Sequence, residues 1–252
     1  MIDKVLLSKA LLEWYFVNGV ENTVSGLETI LNNKFAQIKS EKLLSKDIHS
    51  ESVSLELDEV LNEVKSLNQL KDLIISNCNC SLKKTAKNIV FSDGNPQSNI
   101  MLIGEAPGED EDKSGKPFKG EPGDLLDKML NSINLNRENT YLTNIIFWRP
   151  PGNRKATEEE INTCLPFVKK QIELVNPKII ILVGATAAKS IYKIQSGITQ
   201  IRGQWKNIEI NKLKNLRSIA IFHPAFLIRQ PSRKREAWED LKKIKIEIDR
   251  YT

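Results

Sequence analysis

The stretch richest in chemically competent side chains is Asn99 to Phe118, NIMLIGEAPGEDEDKSGKPF. A short apolar run breaks at Gly104-Glu105-Ala106-Pro107-Gly108, four acids follow from Glu109 to Asp112, and the stretch closes on Gly115, Pro117 and Phe118. A buried strand that ends in a Gly/Pro turn leaves backbone amides free at its carboxyl edge, where α/β folds hold ligands. His223 stands in a similar place: it follows the apolar run RSIAIF, precedes Pro224 and is trailed by basic residues. An imidazole there can transfer a proton or donate a hydrogen bond to a developing anion.

Asn144 ends another apolar run, TYLTN. Its amide presents a donor beside an acceptor, which matches O4 and N3–H of uracil and mismatches cytosine, where the order is reversed. The same residue is equally compatible with a satisfied polar group near a strand end. Phe118 offers a face for a flat ring, or a core side chain. The acids at 109–112 make a poor metal site, because neighbouring acids in a turn diverge and no second histidine is near. No Gly-x-Ser-x-Gly elbow and no phosphate loop ending in Gly-Lys-Ser/Thr occurs. What remains is a site for a planar, hydrogen-bonding ligand.

The elements that must position these groups are legible as alternating runs. Strands are expected at 99–103, 140–147, 178–183 and 217–222, and helices at 121–134, 157–175, 185–193 and 232–248. Thr157-Glu158-Glu159-Glu160 reads as a capping box at one helix start. This alternation predicts a three-layer α/β/α domain with a central four-stranded parallel sheet, whose strand ends bring 105–111, Asn144, 149–154, 184–186 and 223–229 to one edge. Upstream, a helix at 2–18, a linker at about 20–54 and an amphipathic helix at 55–75 form an N-terminal helical extension, so the domains are expected at 1–75 and 76–252.

The chain has 252 residues, 40% hydrophobic and 27% charged, with a net charge of +5. The excess lies in Arg149–Lys155 and Arg229–Arg235, basic loops that suit a polyanion but also occur as ordinary solvated loops. No apolar run approaches the ~20 residues needed to span a bilayer, and the first residues are too acidic for a secretory signal. A cytoplasmic protein with no membrane association is expected. Its three cysteines do not make a disulfide framework.

Taken in order, seven segments resemble the uracil-DNA glycosylase superfamily, and most of all the class called family 4. They are VFSDGNP (90–96), GEAPGEDED (104–112), GKPFKGEPGDLLDKML (115–130), YLTNIIFWRPPGNR (141–154), EEINTCLPF (159–167), PKIIILVG (177–184) and HPAFLIRQPSRKREAWEDL (223–241). The resemblance implies a DNA repair enzyme of base excision, a hydrolase that flips uracil out of single- or double-stranded DNA, cleaves its N-glycosidic bond and leaves an abasic site. Its implied roles fall on residues already singled out. Phe118 stacks on the base, Asn144 reads its Watson–Crick edge, and His223 donates to O2 of the departing uracil. Gly104 and Ala106 supply backbone contacts, and Arg149, Arg154, Arg229 and Arg233 grip phosphates. Leu227 or Ile228 fills the gap in the stack. Ala106 stands where the classical enzymes carry a catalytic aspartate, so Glu105 or Glu111 must position the water; Glu111 is also placed to exclude a C5 methyl group.

The resemblance also raises a 4Fe–4S cluster held by four cysteines. Cys80 and Cys164 match two of the ligand positions, Asn77 falls at a third with Cys78 out of step, and Trp148 at the fourth. The expectation is therefore no metal and no cofactor. Residues 149–157 contain no histidine, so covalent trapping on uracil-DNA is not expected either. The N-terminal helices are candidates to recruit base-excision-repair proteins, and a monomer is expected. The competing readings are a non-hydrolytic module that binds uracil or abasic sites and a small-molecule hydrolase on a Rossmann-like sheet.

Overall fold

In a computed structural model of the chain, residues 57–250 are described. The expected helix at 2–18, the linker at 20–54 and the start of the helix at 55–75 lie outside them. Helical turns at 57–63 stop before Ser66, whose hydroxyl accepts from Gln69 N at 3.2 Å and starts a new helix, α1 (Leu67–Asn77). The single helix expected over 55–75 is thus two, because Ser66 caps more favourably than it continues a helix. α1 buries Leu70 and Ile74.

The domain is α/β, but its sheet has six strands rather than four parallel ones. They are β1 (Asp93–Gly94), β2 (Ile100–Gly104), β3 (Tyr141–Asn144), β4 (Ile179–Val183), β5 (Trp205–Ile210) and β6 (Leu213–Ile221), in the order β1-β3-β2-β4-β6-β5. The expected four form the centre, β3-β2-β4-β6, and all pair in parallel. Each edge is closed by a short antiparallel strand, β1 on β3 and β5 on β6. Every residue of β2 and β4 is buried, as befits strands covered on both faces. β5, by contrast, reads WKNIEI and is mostly half-exposed, so it carries no continuous apolar run to announce it.

Between the strands run helices α2 (Glu109–Ser114), α3 (Gly120–Asn131), α4 (Glu158–Val175), α5 (Ala185–Tyr192) and α6 (Ile198–Ile201), and α7 (Pro224–Arg229) and α8 (Lys234–Ile248) follow the last strand. The capping box of α4 forms as expected: Thr157 Oγ1 accepts from Glu160 N at 3.2 Å, and the Glu160 carboxylate accepts from Thr157 N at 2.8 Å. α1 packs along α4. On the far side of the sheet, Leu126 and Leu130 of α3, Ile181 of β4, Ile221 of β6 and Ile244 of α8 share one core. That core leaves the carboxyl edge of the parallel strands free to carry polar groups.

Candidate active site at the carboxyl edge of the sheet

A cleft of about 940 Å³ opens at this edge, and it gathers residues from every expected strand end. Glu105, Ala106 and Glu111 line it from β2 and α2, Phe118 from the turn before α3, Asn144 from β3, Gly184 to Thr186 from the start of α5, and His223 and Arg229 from α7. Of the site residues singled out in the sequence, Gly104, Arg149, Leu227, Ile228 and Arg233 do not line it.

Gly104 nevertheless shapes the cleft. A Cβ at that position would lie 2.3 Å from Asn144 Oδ1 and 2.7 Å from Phe118 Cζ. Only a residue without a side chain lets the amide and the ring approach each other across the end of β2. Asn144 is 3% exposed, and among the described residues its amide has no hydrogen-bond partner. Its polar atoms are not among the enclosed, unpartnered ones and so reach the cleft, where a ligand can pair with them.

His223 is fixed differently. It precedes Pro224 at the start of α7, and its Nδ1 accepts from Ala225 N at 3.2 Å. That bond requires the neutral tautomer with the proton on Nε2, which has no partner among the described residues. Burial, reinforced by the charge of Arg229, lowers its pKa from 6.5 to about 4. Neutral at ordinary pH, the ring is a hydrogen-bond donor and not a cation. Gly184 makes room for it, with φ of 100° and a would-be Cβ 3.1 Å from His223 Cβ.

The carboxylates divide sharply. The four acids at 109–112 lie on a short helix rather than in a turn, and three of them are engaged in structure. Glu109 pairs with Lys113 at 2.7 Å and Arg149 at 3.4 Å. Glu111 accepts from Gly108 N at 2.9 Å and caps α2; burial raises its pKa against the pull of these amides. Asp112 is buried and accepts from Lys87 N and Asn88 N at 2.9 and 3.1 Å. Glu105 alone among the candidate catalytic acids has no hydrogen-bond partner among the described residues.

The basic rim is partly committed. Arg154 forks onto Glu160 at 2.6 and 2.9 Å, which lowers the Glu160 pKa to about 2. Arg149 bonds Asn153 at 2.7 Å and Arg233 pairs with Glu236 at 2.5 Å. Arg229 is exposed at the mouth of the cleft and makes no ion pair among the described residues. Leu227 requires a correction: it cannot serve as a wedge in this conformation. It is 1% exposed and lies in the core cluster with Phe222 and Leu241, because α7 packs on α3. Ile228 is the half-exposed apolar residue of that turn.

Sequence reasoning missed Arg137 and Gly123, which hold the Phe118 turn. Neither carries a motif: arginine in a loop and glycine in a helix have many bland uses. Cys78, one residue out of step with the cluster motif, lies with Cys80 and Cys164 in one buried group. Hydrogen bonding to Cys164 lowers the Cys78 and Cys80 thiols, Cys80 to about 7. No trio of Cys, His, Asp or Glu among the described residues is placed to hold a metal ion, and Trp148, at the remaining cluster-ligand position, is a buried ring packed edge-on to Phe147.

Comparison with known proteins agrees with the geometry. Residues 91–242 match the family described as "Uracil DNA glycosylase superfamily". A type-4 uracil-DNA glycosylase of Sulfurisphaera tokodaii is 38% identical over 198 residues, covering 74% of this chain and 88% of that protein. That of Archaeoglobus fulgidus is 38% identical over 185 residues, 72% of this chain and 92% of its own. The Thermotoga maritima enzyme is 38% identical over 169 residues, 66% and 86%. With a match through most of the chain and a cleft built at the expected strand ends, the protein belongs to the uracil-DNA glycosylase superfamily, alongside its type-4 members.

Proposed function

We propose that this uracil-DNA glycosylase flips uracil out of DNA and hydrolyses its N-glycosidic bond, releasing free uracil and leaving an abasic site. The observation that carries the reading is His223. It is neutral, with Nδ1 occupied by Ala225 N and Nε2–H free at the cleft. A preorganised donor of this kind stabilises negative charge as it develops on O2 of the leaving base and needs no prior protonation.

The unpaired Asn144 amide reads the O4 and N3–H edge, and Phe118 stacks on the ring. Extruding a base costs a few kcal/mol, which these contacts offset. Glu105, the unengaged carboxylate, orients the attacking water; Glu111, engaged in capping α2, forms the wall beside C5. No step requires a metal or a cluster, and three thiols with Trp148 favour a protein that works without one. Iron and sulfide analysis with a visible absorption scan tests this, and stoichiometric iron with a broad visible band would overturn it.

Arg229 leads the phosphate contacts, with Arg154, Arg149 and Arg233 joining as their present acid partners exchange for phosphate. Ile228, instead of Leu227, enters the stack. The glycosylase domain is assigned to 76–252 and an extension to 1–75; α1, which crosses that boundary, packs on α4. The extension is a candidate docking element for repair proteins of a cytoplasmic, monomeric enzyme.

The test is cleavage of labelled single- and double-stranded DNA carrying one uracil, followed by alkali. Strand scission that disappears in Asn144→Ala and His223→Ala supports the enzyme. Tight binding of uracil or abasic DNA without scission would instead identify a non-hydrolytic module.

A further inference from the structure

Phe118 sits in a backbone conformation that its residue type disfavours. Its φ is 55°, in the left-handed region, where a non-glycine residue is held only by its surroundings. The surroundings are specific. Arg137, in the loop between α3 and β3, donates from Nη1 to the Pro117 carbonyl at 3.1 Å and from Nη2 to the Phe118 carbonyl. The same guanidinium is anchored from behind by two acids, Asp127 of α3 at 3.1 Å and Asp93 of β1 at 2.7 Å. The fork therefore connects the edge strand, α3 and the turn that carries the ring.

Gly123 closes the arrangement. A Cβ there would lie 2.0 Å from the Phe118 carbonyl oxygen, so the turn presses directly on the first turn of α3. Arg137 does not line the cleft and its side chain is 19% exposed. It can act on a ligand only through what it holds. A planar guanidinium that satisfies two consecutive carbonyls fixes the peptide between Pro117 and Phe118 in one orientation, as a lysine point charge cannot.

We propose that Arg137, clamped by Asp93 and Asp127, is the positioning residue that preorganises Phe118 as the stacking surface for the flipped base. The clamp is complete in the free protein, so the ring is in place before DNA arrives. This rests on the reading of Phe118 as the stacking residue, and the test separates the two.

The experiment is a double-mutant cycle in the full chain: Arg137→Met, Phe118→Ala and the pair. Single-turnover excision rates, KM for uracil-containing single-stranded DNA and thermal unfolding are measured at a temperature where each variant is folded. Arg137→Met is expected to slow the single-turnover rate about tenfold with KM within about twofold, as befits a weakened base–aromatic stack with phosphate contacts intact. The pair is expected to be no slower than Phe118→Ala alone. Independent, multiplicative losses would overturn the proposal, as would a rate that falls only in step with unfolding. If Phe118→Ala excises uracil normally, the stacking reading fails; a slow Arg137→Met beside it would show that Arg137 acts elsewhere. Should Arg137→Met not fold, Arg137→Lys takes its place in the cycle, and a normal rate in Arg137→Lys would likewise overturn the role of the fork.

Discussion

The two walls of the cleft are built by opposite means. The wall from Gly104 to Gly123 is crowded and contorted. It places Phe118 through a positive φ, two glycine contacts shorter than any real Cβ would permit, and a half-buried arginine clamp. The wall from Phe222 to Arg229 is ordinary: a strand ends, a proline starts a helix, and the histidine between them caps it with Nδ1. In the function proposed above, the first wall fixes a surface that must meet the whole face of a ring, so position and tilt both matter. The second would fix one proton, for which a single hydrogen bond and burial suffice. Fixing the surface draws on more of the fold than fixing the donor.

The largest effects are expected where a polar group meets the base. His223→Ala and Asn144→Ala should each lower the single-turnover rate by about 10²–10³, the loss typical of one preorganised donor, with unfolding temperature nearly unchanged. Gly123→Ala comes next and acts on the other wall. Its methyl group must displace the Phe118 backbone, so stability should fall by about 1–3 kcal/mol in denaturant titrations, along with the rate. An unperturbed Gly123→Ala protein would show that the contorted wall is not needed.

The carboxylates sharpen the comparison within the first wall. Glu105→Gln should slow hydrolysis by about 10²-fold or more while leaving DNA binding intact. Glu111→Ala should instead cost about 1 kcal/mol of stability through the lost cap on α2, with the smaller effect on rate. The reverse pattern would assign the water to Glu111.

The smallest effect is on pH dependence. The His223 pKa falls from 6.5 unfolded to about 4 folded, so its contribution to stability is complete above pH 6.5. It is lost as pH falls toward 4, because the unfolded chain takes the proton first, at up to about 3 kcal/mol. The histidine should therefore impose no inflection on the rate near pH 6.5. Imidazole proton shifts by NMR check this, and a titration near 6.5 would mean that the ring is not the neutral donor.

Much of this molecule could be read from its residues. The four parallel strands announce themselves as apolar runs, and each ends in a Gly, Asn or His whose type suits a ligand. The edge strands do not, since two residues of β1 and the mixed WKNIEI of β5 lack a buried face on both sides. α2 was hidden because four consecutive acids read as a solvated turn, although a helix start favours negative charge. Leu227 and Ile228 are adjacent and alike in type, yet the packing of α7 on α3 buries one and leaves the other half-exposed.

The sequence alone determined the four central strands, the main helices between them, and the edge of the sheet at which Asn144, Phe118 and His223 gather. Those follow from local periodicity and residue chemistry. Which carboxylate is free, which cysteines meet, and what holds Phe118 were decided only in three dimensions. Each depends on partners far apart in the chain, such as Arg137 with Asp93 and Phe118, and no local pattern encodes a hydrogen bond across that separation.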